Sequence, residues 1–183
     1  SLTHDSNGNI YIAGYWDSVS YTPLYFSNSS GYTTDSLVGL GGFEIFIAKL
    51  VDNGSHLEWE WVQSAGGEDT DQPNSIALDS KGNIYVTGNF KKYAVFGNNV
   101  IFGDVWNITY PDPADTTNFF WSYSQDIFIA KLSSNGTWLW STSAGVGGSW
   151  GIREFRESGT GIAVDSNDDI FVSGFFQDTV SNF

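Results

Sequence analysis

Three stretches of this chain are near-copies of one another. Residues 1–14 read SLTHDSNGNIYIAG, residues 75–88 read SIALDSKGNIYVTG and residues 161–174 read GIAVDSNDDIFVSG. Asp5, Asp79 and Asp165 align, as do Gly14, Gly88 and Gly174. A second block alternates with the first: EIFIAKL at 44–50 and DIFIAKL at 126–132. Each is followed by Asn-Gly (Asn53-Gly54, Asn135-Gly136), then Trp-x-Trp (Trp59/Trp61, Trp138/Trp140), then Ser-Ala-Gly (Ser64–Gly66, Ser143–Gly145). Blocks recurring in a fixed order mark a repeat architecture, in which each unit buries its faces on its neighbours.

One unit can be read from local chemistry. Ile76-Ala77-Leu78 is a short apolar run, Asp79–Asn83 is a turn, and Ile84-Tyr85-Val86 runs on. The Asp side chain can accept backbone amides further along, and Gly supplies a positive φ, so strands a and b form a hairpin. The IFIAKL run, the Asn-Gly turn and the Trp-x-Trp run form a second hairpin, strands c and d. Strand c is apolar on both faces except at its lysine, so it belongs inside a stack of sheets. Aromatic residues make up 17% of the chain, which argues against disorder. No segment carries apolar residues at helical spacing. The reading is all-β: tandem four-stranded antiparallel blades of β-propeller type, a partial or open propeller with long inter-strand inserts. A stacked sandwich of four-stranded sheets is the alternative.

The motifs GNIYVTG, DIFIAKL, NGTWLWSTSAG and GIAVDS resemble the seven-bladed β-propeller repeat family, surface or secreted proteins of bacteria and archaea. That resemblance implies a propeller-like fold and an extracellular or cell-surface setting, with no defined catalytic activity. The chain departs from it in its long b-to-c connections. Repeat unit 1 spans 1–67 with insert 15–43. Repeat unit 2 spans 74–146 with insert 89–125. An incomplete unit 3 spans 160–183. Hairpins are expected within the inserts, at 93–102 and around 24–32, with 180–183 opening a third. The unfinished third sheet exposes an edge that invites pairing with copies of the chain or with further repeats.

The formal net charge is −14, which argues against nucleic acid and anionic membrane as partners. No run of 18 or more apolar residues is present, so no membrane insertion is expected. Cysteine is absent, which removes disulfides and thiol chemistry.

Candidate sites are few. Asp5, Asp79 and Asp165 head oxygen-rich loops, but the sixth position is Ile in each and glycine falls at the fourth in the first two, so turn capping is the reading and no cofactor is expected. Ca²⁺ is the one ion that the acidic stretch Glu68, Asp69 and Asp71 suggests; otherwise it is a solvated loop. Lys49 and Lys131 recur and are read as structural, paired with buried carboxylates or carbonyls. His4 and His56 have no nucleophile or carboxylate partner by motif, so no enzyme is expected. Sequons place glycosylation candidates at Asn28, Asn53, Asn107 and Asn135. Insert aromatics Trp106, Tyr110, Trp121 and Tyr123 are candidates for stacking on glycans. The leading functional reading is a non-enzymatic extracellular scaffold or adhesion protein that self-assembles into a surface fibre or array through its unfinished edges. A carbohydrate- or ligand-binding module is the alternative.

Overall fold

A computed structural model describes residues 1–103, 105–109, 119–145 and 156–177, with backbone alone at 105–109 and 119–123. Those residues are built almost wholly of antiparallel strands; the one helical segment among them is a single 3-10 turn, Val19–Tyr21. None of their helices is long and apolar enough to cross a membrane.

The first repeat supplies β1 (Leu2–His4), β2 (Ile10–Asp17), β5 (Phe43–Asp52) and β6 (Leu57–Ala65), hydrogen-bonded in the order β1-β2-β5-β6. Its b-to-c connection adds a hairpin, β3 (Leu24–Ser27) and β4 (Thr33–Leu37). The second repeat supplies β7 (Gln72–Leu78), β8 (Ile84–Lys91), β13 (Gln125–Leu132) and β14 (Trp138–Ala144), in the same spatial order. Its connection holds two hairpins, β9 (Tyr93–Phe96) with β10 (Asn99–Phe102), and β11 (Val105–Thr109) with β12 (Phe119–Tyr123). The third repeat shows only its first hairpin, β15 (Ser158–Val164) and β16 (Ile170–Phe175). Val180–Phe183, read as the start of a third insert, lie outside the described residues.

Registers repeat as closely as sequences do. The c–d ladder shifts by one residue at Lys49/Leu50 in the first sheet and at Lys131/Leu132 in the second. The shift leaves Lys49 opposite Trp61 and Lys131 opposite Trp140, as a β-bulge re-aims side chains next to a special residue. Gly14 pairs with Phe46, and Gly88 with Phe128. A Cβ at Gly14 would stand 2.5 Å from the Phe46 ring and one at Gly88 would stand 2.9 Å from that of Phe128. The repeated glycine therefore leaves room for the aromatic ring across the ladder and, at Gly88, also for Gln72 O, which a Cβ would meet at 2.0 Å.

The inserts belong to the repeat rather than decorating it. Phe26 of β3 meets Phe46 at 5.9 Å and Trp59 at 4.9 Å between ring centroids. In the second repeat Phe96 of β9 meets Phe128 at 5.1 Å and Trp138 at 5.0 Å. Both phenylalanines sit against the outer part of their own sheet, and each edge-on pair adds to area burial. The main core runs from Tyr11, Ile45 and Ile47 of the first sheet through Ile84, Val86 and Phe128 of the second.

Neighbouring repeats are tied along their whole height. Trp138 Nε1 donates to Ser64 O at 3.0 Å. Gly66 and Val95 exchange two backbone bonds, of 3.2 and 2.9 Å. Between the second and third repeats, Asn74 Nδ2 donates to Ser158 Oγ and to Gly159 O, and Ile162 N donates to Ser75 Oγ.

Candidate functional site

Three features of the repeat carry chemistry: the aspartate turns, the acid pairs at the junctions and the last described strand, β16.

Each aspartate turn is built the same way. Asp5 Oδ1 accepts Asn7 N and Asn9 N at 2.9 and 3.0 Å, while Oδ2 accepts Asn9 Nδ2 at 2.7 Å and the Tyr11 hydroxyl at 3.2 Å. Asp79 accepts Lys81 N, Asn83 N, Asn83 Nδ2 and the Tyr85 hydroxyl in the same pattern. Asp165 keeps the two backbone bonds, from Asn167 N and Asp169 N; Asp169 and Phe171 replace the Asn and Tyr that complete the set elsewhere. Burial pushes the Asp79 carboxyl up, but its bonds to Asn83 and Lys81 and the charge of Lys131 outweigh that and hold it below its ordinary value. These carboxylates are spent on backbone donors, as turn capping requires.

The repeated lysines lie behind the turns. Lys131 Nζ donates to Tyr85 OH at 2.5 Å, sits 3.4 Å from Asp79 Oδ2 and stands 4.6 Å from the Tyr85 ring centre. Lys49 instead pairs with the half-exposed Glu60 at 2.6 Å and stands 5.7 Å from the Tyr11 ring centre.

The junctions hold pairs of buried acids. Glu44 is the second residue of strand β5 and Asp71 precedes β7; both are buried. They converge on Gly66, where an added Cβ would stand 2.3 Å from Glu44 Oε2 and 3.0 Å from Asp71 Oδ2. Glu44 Oε1 accepts the amides of Leu40 and Gly41, and Asp71 accepts Gly67 N at 2.6 Å and Lys91 N at 3.1 Å. Burial raises the Asp71 carboxyl to about 8; the two amides oppose this, and the charges of Glu44 and Asp69 add to it. Glu44 is also raised, by burial first. The second junction repeats the arrangement: a Cβ on Gly145 would stand 2.8 Å from Asp126 Oδ1 and 3.2 Å from Glu157 Oε2, and both acids are buried. The reading of Glu68-Asp69-Thr70-Asp71 as a solvated loop thus fails at Asp71, which turns inward, while exposed Glu68 pairs with Lys92 at 3.3 Å. No group of three or more His, Cys, Asp or Glu among the described residues is arranged to hold a metal. One sequence signal pointed to the pairs, an acid heading strand c in both EIFIAKL and DIFIAKL.

One motif-level reading of the histidines needs correction. His56 does have a carboxylate partner: its Nε2 lies 2.6 Å from Glu58 Oε1 and its Nδ1 lies 2.8 Å from Ser55 Oγ. This Ser55–His56–Glu58 string sits on the exposed c–d turn, where Asn53 Oδ1 accepts the Ser55 hydroxyl at 2.8 Å. With its proton donated to Asn53, Ser55 is not poised as a nucleophile toward the imidazole. His4 Nδ1 lies 3.1 Å from Asp5 O.

The sequon residues Asn53 and Asn135 are exposed on c–d turns, and Asn28 is half-buried on the β3–β4 turn. Their Oδ1 atoms hold their own turns, Asn28 accepting Ser30 N and Tyr32 N, and Asn135 accepting the Ser133 hydroxyl. Asn107 and Trp106 fall on β11, and Trp121 and Tyr123 on β12; their side chains, and Tyr110 altogether, lie outside what the structure describes.

Of the third repeat, the described residues include strands a and b alone. In the second repeat β8 is covered by β13, and Ile84, Tyr85 and Val86 are at most 4% exposed. Their counterparts on β16, Ile170, Phe171 and Val172, are 36%, 59% and 38% exposed; among the described residues β16 pairs with β15 alone.

Comparison with known proteins agrees with this architecture. A family model described as beta-propeller repeat matches residues 60–89, which run from strand d of the first repeat into strand b of the second. The chain is 29% identical, over 96% of its length, to an uncharacterized WD repeat-containing protein of Acanthamoeba polyphaga mimivirus. It spans 12% of that relative's length.

Proposed function

We propose, from the premise of a chain that carries β-propeller repeats, that it acts as a non-enzymatic protein-interaction scaffold, extracellular or at a cell surface, which assembles by strand addition at β16. The repeats themselves point to an interaction scaffold. The observation that supports the finer reading is the contrast between β8, buried under β13, and β16, its counterpart, which among the described residues pairs with β15 alone.

The occupant that fits is another strand c of the IFIAKL type, supplied by a further repeat. Its alternate apolar side chains would cover Phe171 and Val172 on one hand and extend the β15–β16 ladder on the other. Its lysine would reach the Asp165 turn, as Lys131 reaches Asp79. Strand addition of this kind buries several large side chains at about 1.5–3 kcal/mol each, and main-chain bonds fix the register. Exposed sequon turns at Asn53 and Asn135 and the net charge of −14 suit an extracellular surface.

Light scattering on the chain with a synthetic QDIFIAKL peptide tests the proposal. The chain should associate in the micromolar range, the peptide should dissolve the association, and Val172→Lys should abolish both effects while leaving the circular dichroism spectrum intact. A monomer at high concentration that ignores the peptide would refute strand addition.

A further inference from the structure

The a–b turns of successive repeats face one another, and the two junctions differ in one respect. Between the second and third repeats, Asp168 reaches back to the second turn. Its Oδ1 accepts Ser80 N at 2.8 Å and its Oδ2 accepts the Ser80 hydroxyl at 2.7 Å. The Ser80 amide and hydroxyl, with help from Lys81, hold the Asp168 carboxyl below its ordinary value although Asp79 stands near. The carboxylate therefore sits there as the anion.

Between the first and second repeats the corresponding residues are Ser6 and Gly82. Gly82 has no side chain to send, and among the described residues no protein group bonds the Ser6 amide or hydroxyl. What remains is a polar cleft of about 520 Å³, lined by the two turns together with His4, Lys49, Lys81 and Ser134. Its carboxylates, Asp5 and Asp79, are already occupied by their own turns. Its unused donors are those that a carboxylate takes one repeat further on. The cleft is therefore the same receptor with the internal ligand left out.

We propose that this cleft receives the carboxylate of an Asp or Glu side chain on a partner protein, held by the amide and hydroxyl of Ser6 with Lys81 beside it. The partner's acid does what Asp168 does in cis, and a bidentate, charge-assisted contact gives it a defined orientation. The proposal rests on the scaffold reading and names a second contact point, separate from the β16 edge.

The probe is N-acetyl-aspartate N-methylamide, titrated into the ¹⁵N-labelled chain at constant ionic strength. The Ser6 amide should shift saturably with a midpoint of about 1–10 mM, as suits a single isolated contact. The Ser80 amide, occupied by Asp168, should stay still. Gly82→Asp should supply the carboxylate in cis: the Ser6 amide shifts without the probe and no longer responds to it. Aspartate tolerates that backbone, since Asp168 holds φ 65° where Gly82 holds φ 76°. Asp168→Ala should make Ser80 a second responding amide, a gain that does not depend on the folding of the Gly82 variant. No saturable shift at Ser6, an equal response to chloride, or an undiminished response in Gly82→Asp overturns the proposal. Saturation by glucuronate at tenfold lower concentration than the probe overturns it in favour of an acidic sugar. Val172→Lys should leave the titration unchanged, so failure here and failure of strand addition are read separately.

Discussion

Replacing Asp71 by Asn should remove a pH dependence that the fold builds into its first junction. Asp71 is buried against Glu44, with Asp69 and Tyr93 near it, and its carboxyl is raised from 3.8 to about 8. Between those values the native chain binds a proton there that the unfolded chain has released. Stability therefore falls as pH rises through the window, by about 1.4 kcal/mol per unit for one group, and levels off above the folded value. Over roughly four units the loss is on the order of 5 kcal/mol, a large share of a domain's net stability. Glu44, also raised, acts in the same direction. Asp5 and Asp79 are depressed, so their contributions are lost only as pH falls below the ordinary carboxylate range, outside this window. Asparagine is neutral throughout, but it sets an N–H donor against one of the two amides that Asp71 accepts, Gly67 N or Lys91 N. That mismatch costs about 1–3 kcal/mol at every pH. The two stability curves should therefore cross: the parent is more stable at about pH 4, where little of the loss has occurred, and Asp71→Asn exceeds it near pH 9. Urea unfolding followed by tryptophan fluorescence at half-unit steps would read both curves. Parallel curves, or a parent that gains stability across the window, would refute the shared-burial account.

Other substitutions follow from the repeat geometry. Gly66→Ala places a methyl against Glu44 and Asp71 at a residue whose φ is 138°, and should cost more than about 2 kcal/mol by chemical denaturation. Trp138→Phe leaves Ser64 O without its donor and should cost about 1–3 kcal/mol, whereas Trp140→Phe on the more exposed face should cost less than about 1. Asp79→Ala frees two turn amides and takes the carboxylate from Lys131, which keeps its bond to Tyr85 OH; the expected loss is about 2–4 kcal/mol at pH 7 and shrinks as pH falls below the ordinary carboxylate value, where the unfolded parent takes up a proton that the folded one still lacks.

The paired copies explain why so much of the fold is legible in the chain. An Asp-x-x-Gly-Asn turn sets its own hairpin through bonds spanning two to four residues, as Asp5 and Asp79 show, so local chemistry alone places strands a and b. The Asn-Gly turn before Trp-x-Trp does the same for strands c and d. Even the repeated Gly14 and Gly88 carry a tertiary fact in sequence form, since each marks the ring of Phe46 or Phe128 across the ladder.

What depends on distance in the chain was not legible. Glu44 and Asp71 are 27 positions apart and meet only because Gly66 lets two strands and a junction loop close on one point. Asp71 looked like one acid in a polar stretch, yet it is buried with its carboxyl raised to about 8, while its neighbour Glu68 pairs with Lys92 at the surface. The string Ser55–His56–Glu58 shows the converse: its members are adjacent in sequence, but only the turn made by Asn53 aligns them and then ties up the hydroxyl. The difference between Ser80, filled by Asp168, and Ser6, facing Gly82, is a single residue in the sequence and becomes a bound carboxylate or an open cleft only when the repeats stack. Turn and ladder chemistry acts between near neighbours, so the sequence determined the repeating hairpins. Burial and charge pairing act between surfaces that the chain brings together only on packing, so the raised carboxyls of Asp71 and Glu44 and the polar cleft at Ser6 were decided by the tertiary structure.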